Sequence, residues 1–95
     1  MEHLQDRYET YPIALIRGLV KREEMTIEEL ADIVKIRPKL LQDINDGKVR
    51  MLAKDLIKLI MGMALTDYDL TMSIKDGLEL ITLRELYDSS NARQG

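Results

Sequence analysis

Residues 26–48 limit the fold of this chain more than any other stretch, because they carry the start and stop signals of two short helices. Thr26 and Glu29, three residues apart, match a capping box, which predicts a helix that begins immediately after Thr26. Pro38 fits the first turn of a second helix, where its missing N–H breaks no hydrogen bond. Gly47 suits the position just past the end of that helix. The sequence therefore predicts two short helices joined by a tight turn.

Apolar residues recur at helical spacing in both predicted helices and in the segments on either side. An earlier helix is predicted from about Pro12 to Glu23, and a later one from about Leu52 to Ala64. Thr66 is predicted to cap a short fifth helical segment, at residues 66–70. The predicted fold class is mostly α, with five helices around one core. The apolar residues predicted to face that core are Ile13, Ile16, Leu19, Val20, Ile27, Leu30, Ala31, Val34, Leu41, Ile44, Leu56, Leu59, Ile60, Met63 and Leu70.

In this pattern the chain resembles the Cro/phage-repressor (Xre-type) helix-turn-helix family over residues 12–71. The residues that carry the resemblance are Thr26, Leu30–Asp32, Ile36, Leu41, Ile44, Gly47, Lys48, Leu56, Leu59, Met63 and Leu70. The resemblance implies a five-helix, repressor-like domain in which the second helix of the central pair enters the major groove of DNA. The chain departs from the family pattern at Ile27, where a phosphate-contacting Gln is usual, and at Lys35, where the turn glycine is usual.

Length and charge agree with one small domain that has a polarised surface. Ninety-five residues suffice for a single core, and the net charge is −3. Between Lys35 and Lys58 the chain carries seven basic and three acidic residues, a local charge of +4. Basic residues clustered in one segment are typical of a nucleic-acid-binding face, although they also occur on ordinary solvated helices.

Other function classes find little support. The chain has no Cys, and its single histidine, His3, lies in the predicted N-terminal tail. We identify no catalytic constellation, metal-ligand spacing or phosphate-binding loop, so the sequence predicts neither an enzyme nor a bound cofactor or metal. No apolar run approaches a membrane span, and the first residues are unlike a signal peptide, which leads us to expect a cytoplasmic protein.

The contacts to DNA follow from the resemblance and from the outward-facing positions of the second helix. Arg37, Lys39, Leu40, Gln42 and Asp43 are predicted to reach base edges. Phosphate contacts are predicted for the side chains of Lys48, Arg50 and Lys54 and for the backbone N–H groups of Ile27 and Glu28 at a helix start.

Residues 72–90 lie beyond the family pattern, and two structures fit them. Lys75–Asp76–Gly77 suits a hairpin turn, which is the interpretation we favour, and a short helix over residues 83–90 is predicted to follow the hairpin. The alternative is a helix capped by Ser73. A hairpin that pairs with its own copy would form a dimer. The residues predicted to form that contact are Ile74, Leu78, Leu80, Ile81 and Leu83. Residues 1–11 are predicted to be a flexible tail, and residues 91–95 to be disordered.

The sequence thus predicts a transcriptional regulator, most simply a repressor, that binds a palindromic operator as a homodimer. The competing hypothesis is a protein-interaction module on the same scaffold, such as an antirepressor or an adaptor that binds another regulator. Its basis is the missing family Gln, the acidic remainder of the chain, and the apolar Leu40 and Met51 near the predicted DNA face.

Overall fold

The computed structural model describes the backbone of residues 2–94 and the side chains of residues 10–82. Within this range all of the regular secondary structure is helical. They are α1 (Glu2–Arg22), α2 (Ile27–Val34), α3 (Pro38–Asn45), α4 (Ala53–Gly62) and α5 (Asp67–Gln94). The predicted mostly helical fold is confirmed. No described helix is long and apolar enough to cross a membrane.

The predicted central helix pair is present, and local interactions define both of its ends. The Glu29 N–H donates to Thr26 Oγ1 at 3.0 Å, and the Thr26 N–H donates to the Glu29 carboxylate at 3.0 Å, which completes the capping box. Helix α2 ends at Lys35, which adopts the left-handed conformation with φ 63° and donates its N–H to the Ala31 carbonyl. Pro38 occupies the first turn of α3, as predicted.

The core forms between α1, the central helix pair and α4. Buried apolar side chains from these four helices and from the turn between α2 and α3 contact one another. They are Leu15, Ile16, Leu19, Leu30, Ala31, Val34, Ile36, Leu41, Ile44 and Leu59. Most of the residues predicted to face the core are fully or partly buried there.

The first helix is longer than predicted. It begins at Glu2 rather than near Pro12, which lies within the helix. A proline inside a helix removes one backbone hydrogen bond and kinks or breaks the helix; here the helix continues through it. A continuous helical backbone thus covers residues predicted to be a tail. Met1 lies outside the described residues, and so do the side chains of residues 2–9, including His3.

The C-terminal extension corrects the favoured prediction, because residues 72–82 belong to α5 and form no hairpin. Gly77 serves close helix packing rather than a turn: a Cβ atom there would overlap the Ala14 carbonyl oxygen. On the same seam, a Cβ on Gly18 would overlap the Ser73 carbonyl oxygen. Two pairs of small residues, each four apart, therefore let the backbones of α1 and α5 touch.

The start of α5 is also capped, although Ser73 is not the cap. The Asp69 N–H donates to Thr66 Oγ1 at 3.1 Å, and the Thr66 N–H donates to the Asp69 carboxylate at 3.2 Å. Hydrogen bonds from the Thr66 backbone N–H and from its hydroxyl to the Asp69 carboxylate lower the pKa of Asp69 below its ordinary value. Helical backbone continues to Gln94, through most of the segment predicted to be disordered, and Gly95 lies outside the described residues.

Candidate nucleic-acid interface

Helix α3 packs against α1. Leu41 and Ile44 are buried in the core, as their spacing predicted. At the C-terminal end of α3, Arg17 Nε donates to Asn45 Oδ1 at 3.2 Å and Arg17 Nη2 donates to the Asn45 carbonyl oxygen at 3.1 Å. The guanidinium thus satisfies a terminal carbonyl that has no partner within the helix. The orientation of α3 is set by both apolar packing and this polar anchor.

The outward face of α3 carries most of the residues predicted to contact bases, but three of them are hydrogen-bonded to side chains four residues away. Lys39 Nζ lies 2.8 Å from Asp43 Oδ1, and Gln42 Nε2 donates to Asp46 Oδ1 at 2.9 Å. The hydrogen bond and charge of Asp43 raise the pKa of Lys39. Base contacts by Lys39, Gln42 or Asp43 would have to exchange these intrahelical bonds, so they require more rearrangement than the sequence suggested.

Arg37 and Leu40 differ from these paired residues. Arg37 is exposed at the N-terminal end of α3, where its side chain makes no capping hydrogen bond. Leu40 is partly buried and packs against the core, so only part of it is available for a partner.

A basic cleft of about 340 Å³ opens beside this end of α3. Five cationic residues and one carboxylate line it, together with apolar side chains. The lining residues are Lys35, Ile36, Arg37, Leu40, Val49, Arg50, Leu52, Lys54, Asp55 and Lys58. Four segments contribute, namely the turn before α3, α3 itself, the loop after it and the first turns of α4, so the fold gathers charges that are spread over the sequence.

The cleft contains Arg50 and Lys54 together with Arg37, and it adds two residues that were not predicted as contacts, Lys35 and Lys58. In the sequence, Lys35 stands out as a departure from the family glycine and as the first residue of the basic segment. Lys58 follows Lys54 by four residues on α4, and this spacing was the available signal that the two share a face. Lys48 is exposed just after α3 and is not among the residues that line the cleft.

Lys35 also supplies a test that separates stability from charge. We expect Lys35→Gly to raise the free energy of unfolding by about 0.5–1 kcal/mol, because glycine adopts the left-handed conformation without a Cβ clash. The same substitution removes one of the cleft's cations and should weaken binding of any polyanion. Ala64→Gly is the matched control, because Ala64 also has a positive φ, 50°, but no charge. Urea denaturation measures the free energy of unfolding. If neither variant is more stable than the wild type, the argument that the left-handed conformation is strained is wrong.

The start of α2 has the opposite charge. Ile27 is partly buried against the core, and Glu28 and Glu29 stand exposed in the first turn. Glu23 and Glu24 are exposed just before it. The backbone N–H groups of Ile27 and Glu28 favour an anion, but the nearby carboxylates repel one. The predicted phosphate contact at this point remains a prediction.

The residues predicted to form a dimer contact do not share one surface. Ile74 and Leu78 line an open groove along α5 with Thr71 and Thr82. Leu80 lies in a separate hollow that also contains Arg17, Val20 and Ile27. Ile81 is partly buried, and the side chain of Leu83 lies outside the described residues. The groove thus retains only part of the predicted set.

Comparisons with protein-family models, curated proteins and solved structures found no match to this chain.

Proposed function

We propose that this protein binds duplex DNA through α3 and the basic cleft and thereby regulates transcription. In this proposal α3 enters the major groove, and the resulting occupancy of an operator represses the adjacent promoter. The observation that carries the proposal is the cleft itself: a chain with a net charge of −3 concentrates five cationic side chains against one carboxylate beside an exposed helix. Such local polarity is the electrostatic signature of a nucleic-acid-binding face.

The test is selection of bound fragments from random duplex DNA, followed by titration of the enriched sequences at two salt concentrations. We expect a recurring sequence whose affinity falls steeply with salt, because each phosphate contact releases a counterion. No enrichment above background would contradict the proposal.

Individual residues should separate into two roles. Arg37→Ala and Gln42→Ala are expected to cost about 1–3 kcal/mol at the selected sequence and little on random DNA, because both are proposed to read bases. Lys48→Ala should weaken binding to every sequence alike and flatten the salt slope, because it is proposed to contact phosphate. Fluorescence anisotropy on selected and random duplexes measures both effects. Equal losses for all three variants on random DNA would contradict the role assignments.

We also propose that the protein acts as a homodimer on a palindromic site. With no hairpin in residues 72–82, support for self-association comes from the groove along α5 that Ile74 and Leu78 line. Sedimentation velocity at tens of micromolar protein should show a dimer, and Leu78→Glu should reduce it to a monomer. Glu79→Gln, a change on the polar margin of the same groove, is the control. A monomeric wild-type protein would contradict the dimer and leave DNA binding by one copy intact.

The second candidate is a protein-interaction module, and exposed apolar side chains favour it. Ile57 and Met61 are 54% and 75% exposed, and they lie one helical turn apart on α4. The pairing of Lys39 with Asp43 also reduces the polar surface that α3 offers to DNA. Heparin chromatography discriminates between the candidates: a DNA-binding face should retain the protein despite its sequence pI of about 5.1, whereas an adaptor without such a face should pass through.

A further inference from the structure

The basic cleft differs from a plain cluster of surface lysines because apolar side chains lie among its charged ones. Among the lining residues, Ile36 is buried and Leu40 is half-buried, whereas Val49 and Leu52 are 42% and 56% exposed. A nucleic-acid backbone presents the same combination, since anionic phosphates alternate with largely apolar deoxyribose rings. The cleft therefore matches a sugar-phosphate strand better than it matches a free anion.

Charge further limits the strand to one side of α3. In the cleft, Lys35, Lys54 and Lys58 outnumber the one carboxylate, Asp55, whose side chain is only 5% exposed and lies 4.0 Å from Lys58 Nζ. At the start of α2, by contrast, Glu28 and Glu29 are exposed in the first turn. A phosphate near that end would meet exposed carboxylates as well as Arg17 and Lys21, which line the hollow beside Ile27, whereas a phosphate in the cleft would meet five cations and one carboxylate.

From these observations we infer that Lys35 and Lys58 are phosphate-binding residues, and that the cleft between the α2–α3 turn and α4 holds one strand of the DNA backbone on that side of α3. This inference rests on the proposed function and specifies how the DNA is held. The principal backbone contact is one-sided: the turn and α4 supply it, and the N-terminus of α2 does not.

The test compares Lys35→Gln and Lys58→Gln with Lys21→Gln in binding to a random-sequence duplex over a range of salt concentrations. Lys21 is an exposed lysine on α1 that does not line the cleft, so its substitution makes the same change in net charge elsewhere. Each cleft variant should lose about three- to tenfold in affinity and reduce the salt slope by about one, the signature of one lost phosphate contact. Lys21→Gln should change neither quantity. Circular dichroism checks that all variants are folded.

The outcomes separate this inference from the proposal on which it rests. If the wild type binds the duplex and the two cleft variants keep its salt slope, the inference is overturned and DNA binding stands. If the wild type does not bind the duplex, both fall. A parallel titration with poly-L-glutamate then identifies the other class of partner: binding that depends on Lys35 and Lys58 would assign the cleft to an acidic protein segment.

Discussion

Gly77→Ala is expected to lower the free energy of unfolding by about 3 kcal/mol or more, a large part of the stability of a small domain. The new Cβ atom would overlap the Ala14 carbonyl oxygen, which belongs to the backbone of α1 and cannot rotate aside. The two helices would have to move apart and lose contact along their seam. Gly18→Ala should have a similar effect, because its Cβ would overlap the Ser73 carbonyl oxygen from the opposite side.

The prediction is stringent because Gly77→Ala is expected to lower the free energy of unfolding, although the intrinsic helix preference of alanine would raise it. Alanine stabilises an unobstructed helix by about 1 kcal/mol relative to glycine, so Gly77→Ala would stabilise α5 if α1 did not lie against it. Glu79→Ala, at an exposed position on the same helix, serves as the control and should change the stability by no more than about 0.5 kcal/mol. Urea denaturation followed by circular dichroism measures all three variants. A stabilised Gly77→Ala protein would disprove the close packing of α1 and α5.

Arg17→Met is expected to cost about 1.5 kcal/mol of stability and to loosen the C-terminal end of α3. Methionine keeps much of the aliphatic stem but removes both hydrogen bonds to Asn45, and bonds from a charged donor contribute about 1.5–3 kcal/mol when shielded from water. The lower end of this range applies because the pair is only partly buried. Lys21→Met, an exposed position one turn further along α1, is the control.

Two measurements distinguish this anchoring role from a direct contact with DNA. Amide hydrogen exchange should accelerate at the end of α3 in Arg17→Met and remain unchanged in Lys21→Met. Affinity for DNA should fall while the salt slope stays at the wild-type value, because the variant misplaces α3 without removing a phosphate contact. A flattened slope would instead indicate that Arg17 itself contacts phosphate.

The candidate site was predictable in part. The charge count between Lys35 and Lys58 identified the basic segment, and the capping signals identified the helix that the cleft flanks. The pairing of Lys39 with Asp43 was implicit in their spacing of four residues. The sequence did not indicate that Lys58 and Arg37 line the same cleft, because that depends on how α4 packs beside the turn between α2 and α3.

The central helix pair is the part of this protein that its sequence determines. The signals at Thr26, Glu29 and Pro38 act through backbone groups within a few residues, so they do not depend on contacts with distant segments. The tertiary structure alone decided between hairpin and helix for the C-terminal segment. Locally, Gly77 suits a turn at least as well as a helix; its role is set by Ala14, far away in the chain, whose backbone leaves room for no side chain. A local pattern cannot report that contact, because the free energy that selects the helix comes from packing α5 against α1.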